Sequence, residues 1–454
     1  MAVKETKNDF SQGSVPKLIW KLAVPMIVAQ VVNALYSIVD RVYIGHMAGV
    51  GQLALTGIGL CFPITMTVAA FSALIGYGGA PLSSILRGRK DADGAERVLG
   101  NSVSALCVLG ILIPLACFFL RRPVLYLFGA SDATFPYADQ YITIYLTGSL
   151  PVMLTLGLNA FINAQGFTRD GMVTVGVGAV LNLALDPLFI FAFHMGIAGA
   201  AVATVIGNVC ADVFFVWVTY KKSHQLSFSP KLCHVTKKQM GQIMVIGIPA
   251  SITNLMQSVG VMLMNRYLLP YGSDCIAAMG IVLKITMIAI LILVGFSFGA
   301  QPLFGYHYGA GNTRRLWKIL RFAYGFEGAL ALGLTVVLAL LAPQLTSLFL
   351  KDQALVGMAT EMLQWQVSSM VFVAIGLVTT CLFQSMGKAL GAFLLSISRQ
   401  GVLFALAVAV GSAVGGYTGV IVAQPAADVL TALLAVAFVV TVIASERKKL
   451  VLGE

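Results

Sequence analysis

Residues Met172–Phe193 read MVTVGVGAVLNLALDPLFIFAF. The run is long enough to cross a bilayer's hydrocarbon core, which takes about 20 residues. Its only ionisable group is Asp186. An ionisable side chain inside a span costs roughly 2.5–3.5 kcal/mol on insertion scales, so one that is kept calls for a partner or a task. Asn182 lies four residues earlier on the same helix face, and Pro187 directly after Asp186 frees backbone carbonyls.

The rest of the chain is of the same kind. Of 454 residues, 58% are hydrophobic and 10% charged, against about 25% charged in soluble domains. Twelve runs are read as transmembrane helices. The first six are Leu18–Val42, Leu53–Ser83, Val98–Leu120, Tyr137–Ala164, Met172–Phe193 and Ile197–Tyr220. The other six are Met240–Leu269, Ile276–Phe304, Trp317–Leu341, Val356–Met386, Ala392–Val414 and Gly419–Ala444. The fourth and tenth are polar at their outer ends, and the eleventh contains Arg399.

The net charge of +11 does not point to nucleic acid, because its distribution follows the membrane. With the spans alternating from an N-terminus inside the cell, only Arg121, Arg122 and Lys351 among the loop Lys and Arg fall outside. This positive-inside bias predicts both termini in the cytoplasm of a multi-pass cell-membrane protein. Residues 1–17 lack the short apolar core and small-residue site of a cleavable signal. The seven cysteines form no C-x-x-C pair and read as small apolar residues. There is no phosphate-binding loop and no soluble segment to hold one. Energy for any uphill work must therefore come from a gradient.

Landmarks recur about 220 residues apart. Ala23-Val24-Pro25 corresponds to Gly247-Ile248-Pro249, and Ala80-Pro81-Leu82 to Gln301-Pro302-Leu303. Asn163-Ala164-Gln165-Gly166 corresponds to Gln384-Ser385-Met386-Gly387, and Gly196-x-x-Gly199 to Gly416-x-x-Gly419. Six spans per half is an even number, so the repeats are parallel and related by an axis along the membrane normal. The expected division is a tail (1–17), a first lobe (18–220), a linker (221–238), a second lobe (239–445) and a tail (446–454).

Polar groups are unequally shared. The first half holds Asp40, on a helix face with Asn33, Tyr36 and Ser37, together with Asn159, Asn163, Asn182, Asp186 and Thr204. Two carboxylates among amides and hydroxyls suit a proton or a metal cation. For Asn159 and Thr204 taken alone, hydrogen bonding between helices is the better account. Toward a substrate cavity between the lobes the first half offers Asn33, Tyr36 and Asn159 and the second Asn254, Gln257, Lys284 and Gln384, with Lys284, Glu327, Arg399 and Asp428 also open to structural pairing, snorkelling or cavity lining. Pro25 removes a backbone hydrogen bond inside the first span and permits a bend. No metal-ligand cluster or nucleophile–base set appears within the spans, which disfavours an enzyme.

These features resemble the multidrug and toxic compound extrusion (MATE) family. The resemblance rests on twelve spans in two halves, Pro25 and Asp40 in the first span, and the turn Arg87-Gly88-Arg89-Lys90-Asp91. It rests most of all on Asn182-x-x-x-Asp186-Pro187 and Gly196-x-x-Gly199-Ala200-Ala201-x-Ala203-Thr204. It implies an all-α membrane protein with a V-shaped pair of lobes. It also implies an antiporter that exports amphipathic, mostly cationic organic compounds in exchange for protons or sodium, by alternating access. By position, Asp40, Asn182, Asp186 and Thr204 match the family's first-lobe cation site, with Asn163 as a further member and Tyr36 beside the first-span carboxylate. Sodium, if used, would sit at Asp40 and Asp186. The glutamate and aspartate that other branches place in the seventh and tenth spans are absent here. The expected partners are small organic solutes and the lipid bilayer, with no cofactor, no nucleic acid and a monomeric state. The alternative is a flippase for a lipid-linked saccharide, for which more spans and a more basic cavity are expected.

Overall fold

The computed structural model describes residues 10–47, 49–222, 236–350 and 352–452, and within them every regular element is helical. The expected linker and the outer parts of both tails lie largely outside the described residues. Nine helices are long and apolar enough to cross a membrane on their own, and two bent pairs bring the number to eleven among the described residues. One of the nine, the continuous segment Ala389–Val442, is two spans. Its chain turns at Gly416, where φ 53° and ψ −129° lie outside helical space. The spans therefore number twelve, as the hydropathy predicts.

The first half comprises Val15–Gly45, Gly51–Gly88, Ala92–Leu127, the pair Phe135–Thr147 and Ser149–Ala164, Thr168–Pro187 running on into Leu188–Ala192, and Ile197–Lys222. The second comprises Lys237–Leu268, Ser273–Gly309, Thr313–Leu340, the pair Gln353–Ser368 and Met370–Ser385, a helix beginning at Ala389–Ile397, and the last span beyond Gly416. The fourth and tenth spans, polar at their outer ends in sequence, are the two broken ones, bent by 61° and 42°. The breaks fall at Gly148 and Ser369, which are equivalent in the repeat. The repeat extends to capping. Asp91 Oδ1 accepts from Gly94 N–H at 2.8 Å to start the third span, and Asn312 Oδ1 accepts from Arg315 N–H at 3.0 Å to start the ninth. The helix Val15–Gly45 runs through Pro25 without interruption, so the bend that this proline permits is not a break here.

Packing differs between the two ends of the bundle. At the end carrying the N-terminus and the basic turns, each apolar core is shared between the halves. Ile19, Leu22 and Ala23 are buried with Phe296 and Phe304, while Ile243 and Ile246 are buried with Leu74 and Ile75. At the opposite end, each half has a core of its own. Glycine makes the shared end close. A Cβ on Gly247 would come within 1.7 Å of the Leu74 carbonyl oxygen, and one on Gly299 within 2.4 Å of Ala23 Cα. Those helices meet backbone to backbone, as small residues allow in membranes. Toward the other end, the first, seventh and eighth spans expose Leu35, Ile38, Met262, Met287 and Ile288. The lobes are joined at the basic end and part toward the other, which makes the V.

Candidate cation site in the first lobe

Asp186 stands in the last third of the fifth span, and its side chain is fully enclosed at 0% exposure. Pro187 cannot donate the next backbone hydrogen bond, and the following turn, Leu188–Ala192, is a wide π-turn closed by Phe193 N–H to Leu188 O at 2.9 Å. The carboxylate thus sits where the helical ladder changes pitch. Asn182, one turn below, bridges it to the sixth span. With its amide oriented to suit an acceptor-only carboxylate, Nδ2 donates to Asp186 Oδ2 at 3.1 Å. Its Oδ1 then accepts from the N–H and Oγ1 of Thr204, both at 3.2 Å. Thr204 Oγ1 can alternatively donate to Ala200 O at 3.0 Å within its own helix.

The first span brings Asp40 within hydrogen-bonding reach of Asp186, the half-buried partner of a buried one. Asp40 Oδ1 is enclosed and has no hydrogen-bond partner. Tyr36, one turn away, is close enough to feel both carboxylates. The first half of the fourth span adds Tyr141 and Tyr145, whose stacked rings lie 6.3 Å apart, with Tyr141 near Asp40 and both near Tyr36. These two tyrosines are members of the site that the sequence reading did not single out. Their only signal is the four-residue spacing, which is equally that of ordinary packing. No Lys or Arg forms an ion pair with either carboxylate among the described residues. Two like charges so close repel unless a cation or a proton stands between them. Oxygen donors alone, with no sulfur and no imidazole, suit a hard cation or a proton.

Asn163 is elsewhere. Its Nδ2 donates to Asn159 Oδ1 at 2.7 Å, and Asn159 Nδ2 donates to Gly171 O at 3.0 Å, so the pair ties the fourth span to the fifth. The fifteen residues from Gly171 to Asp186 put the pair about 22 Å from the carboxylate along the helix, which removes Asn163 from the cation site. Spacing within another span could not reveal that depth. Asn163 instead lines a small cavity at the joined end of the lobes with Tyr77, Ser84, Phe298 and Gln301, and its Oδ1 is enclosed there without a partner.

Of the second-lobe residues expected to line the cavity, Gln384 is buried, its Oε1 accepting from Gln301 Nε2 at 3.0 Å, so it is closed off from a solute in this state. Asn254 bonds back to Ala250 O in its own helix at 3.2 Å, and Gln257 is exposed, as is Asn33 across the cleft. Lys284 is exposed too. Asp428 is satisfied locally. It accepts from Arg399 Nε at 2.9 Å, Ser369 Oγ at 2.8 Å and Gln424 Nε2 at 3.2 Å. Glu327 is fully buried with Ser297 Oγ 2.8 and 2.9 Å from its two oxygens.

The MatE family model matches residues 25–188 and 249–409. The chain belongs to this family of multi-spanning membrane transporters. It is 30% identical over 426 residues to the multidrug export protein MepA of Staphylococcus haemolyticus, covering 94% of this chain and 93% of that one. To MepA of Staphylococcus aureus it is 27% identical over 430 residues, covering 95% and 94%. Among solved structures, a MATE transporter in the straight conformation superposes with a TM-score of 0.92 at 23% identity, over 98% of this chain and all of that one. An outward-facing MATE transporter matches equally well, with a TM-score of 0.92 at 22% identity and the same coverage.

Proposed function

We propose that this chain is a cation-coupled antiporter of the cell membrane that exports amphipathic, mostly cationic organic compounds by alternating access. One observation carries this reading: Asp40 and Asp186 stand within reach of each other inside the first lobe, and no Lys or Arg is ion-paired to either among the described residues. The multidrug export function of the MepA relatives supports it. With the basic end in the cytoplasm, as the positive-inside bias predicts, the cleft opens outward and the glycine seam seals the inside.

The chemistry follows from charge balance. In the outward-open state, the pair takes up a proton or sodium ion and gives up a cationic solute. Neutralising the pair removes the repulsion that holds the first and fifth spans apart, and the lobes can then repack to open inward. There the ion leaves and a cationic solute takes its place. The same two carboxylates serve ion and solute in turn, so neither can cross without the other. Ser273→Cys, at the start of the eighth span, should react with an impermeant thiol reagent in intact cells. Labelling only after permeabilisation would reverse the orientation. In proteoliposomes, an imposed proton or sodium gradient should drive uphill movement of an organic cation such as ethidium, and the effective ion identifies the coupling. Movement that ignores both gradients would reject the antiport reading.

A lipid-linked saccharide flippase needs basic groups to hold a pyrophosphate. Arg399 is spent on Asp428, which leaves Lys284 as the one cation without an ion pair in the interior of the second-lobe spans among the described residues, for a doubly charged group. The antiporter is the better fit.

A further inference from the structure

Asp212 is an ionisable group that the cycle above leaves unused. It stands in the sixth span, Ile197–Lys222, nine residues before Lys221. That is about 14 Å along the helix, too deep for a short carboxylate to reach the interface. Val209, Val213 and Val216 around it are exposed on the outside of the lobe, where lipid would cover them. A charge at such depth calls for a partner or a task. No Lys or Arg is ion-paired with Asp212 among the described residues. Its polar contact is the buried Thr155, whose Oγ1 lies 2.7 Å from Asp212 Oδ1 and 3.3 Å from Asn208 O.

This geometry serves both protonation states. When Asp212 is ionised, the Thr155 hydroxyl donates to it. When Asp212 carries a proton, its O–H can donate to Thr155 Oγ1, and the threonine hydrogen turns to Asn208 O. Neither state leaves the hydroxyl without a partner.

Placement gives the group a role. The sixth span carries Thr204, Asn208 and Asp212 four residues apart, and Asn208 Nδ2 donates to Thr204 O at 2.8 Å. The second half of the fourth span carries Thr155, Asn159 and Asn163 at the same spacing. The two polar stripes meet where Thr155 touches Asp212. One end lies at the group around Asp186. The other lies at the cavity of the joined end, where Asn163 Oδ1 is enclosed without a partner beside Ser84 and Gln301. Asp212 is eight residues beyond Thr204 toward that cavity, about 12 Å along the helix. The first span has no titratable residue between Lys21 and Tyr36, the fourth none from Tyr145 to Ala164, and the fifth none between Asp170 and Asp186. Within the sixth, Cys210 is the titratable neighbour, while Arg169 and Asp170 start the fifth span and form no printed bond with Asp212.

We propose that Asp212 is a second proton site of the first lobe, which the coupling proton occupies on its way from the Asp40 and Asp186 pair to the joined end. This rests on the antiporter reading and assigns the ion a route inside the lobe, separate from the cleft used by the solute. With the proton at Asp212 the outer pair is ionised again and free to hold a cationic solute.

The test begins with the wild type. Dicyclohexylcarbodiimide reacts with protonated carboxyls in apolar surroundings, and mass spectrometry of the digested protein locates the adduct. Asp212 should be labelled more at acidic than at alkaline pH. No adduct at any pH, or the same labelling at every pH, overturns the proposal. In proteoliposomes, Asp212→Asn should lower proton-driven uptake of ethidium about tenfold, whereas Asp212→Glu should keep about half. Binding of ethidium to the purified Asn variant should stay within about twofold of the wild type. Asparagine still accepts from Thr155, so a role confined to joining the fourth and sixth spans predicts undiminished uptake, and that result overturns the proposal. Should the Asn variant lose ethidium binding, the labelling decides. Wild-type uptake that a sodium gradient drives and a proton gradient does not also rejects the site, with antiport intact. If no gradient drives the wild type while labelling at Asp212 still follows pH, the antiport reading fails and the proton site stands.

Discussion

The two lobes place polar groups at matching points and use them in opposite ways. Gly196 and Gly416 both adopt positive φ, 59° and 53°, and open the last span of each half. Eight residues beyond these glycines stand Thr204 and Gln424, and twelve beyond stand Asn208 and Asp428. In the first lobe, Thr204 meets Asn182, which holds Asp186 opposite Asp40, and no Lys or Arg forms an ion pair with either carboxylate among the described residues. In the second, Gln424 and Arg399 both donate to Asp428, and the guanidinium neutralises the carboxylate permanently. A shared topology thus does not dictate shared charge pairing. One lobe leaves its two carboxylates without an ion-paired Lys or Arg among the described residues, and the other pairs its carboxylate with an arginine of its own.

The largest expected effect tests the first lobe's carboxylates. Asp186→Asn preserves shape and the contact with Asn182 but removes one of the two charges. Uphill transport in proteoliposomes should fall to background while the protein still folds and inserts. Wild-type uphill transport by this variant would mean that Asp186 only holds helices together.

The paired carboxylate of the second lobe should respond in stability instead. Arg399→Gln strands Asp428 in a buried position. Breaking a buried pair costs about 3–5 kcal/mol. Because the Arg399 side chain is 16% exposed, about 2–3 kcal/mol is expected, seen as a lowered melting temperature in detergent. Arg399→Gln combined with Asp428→Asn should recover most of the loss. If instead the single variant melts like the wild type and its ion coupling changes, the second lobe has a coupling role and the contrast fails.

A smaller shift is expected where the lobes meet. Gly247→Val drives a side chain into the Leu74 backbone, and overpacking of this kind costs about 1–3 kcal/mol. The cost falls on the closed seam alone, so spin-label distances between the basic ends of the second and seventh spans should lengthen. Unchanged distances would show that the seam does not hold the outward-open state.

Glu327→Gln should matter least. The amide can keep the contact with Ser297, and the change in stability should stay within about 1 kcal/mol. Transport should remain close to that of the wild type. Loss of coupling comparable to that of Asp186→Asn would make Glu327 a second ion-linked carboxyl and end the division of labour between the lobes.

The sequence alone determined that this is a membrane protein of twelve spans in two parallel repeats, because hydropathy, basic-residue bias and repeated landmarks are local or nearly periodic signals. It also marked Asp40, Asn182, Asp186 and Thr204, since buried carboxylates and amides are conspicuous in apolar helices. Tertiary structure decided which of these groups meet. Asn163 looked like a neighbour of Asp186, yet it lies about 22 Å away along the helix, because adjacency between spans depends on depth and rotation that no single helix encodes. Gln384 was read as cavity lining and is sealed against Gln301. Tyr141 and Tyr145 joined the site only because the break at Gly148 tilts the outer half of the fourth span against the first lobe's core. Arg399 could have lined a cavity and proved to be the internal partner of Asp428, 29 residues away along the chain. Composition states what a helix can bury, and only the packing of helix on helix settles which charge finds a partner and which does not.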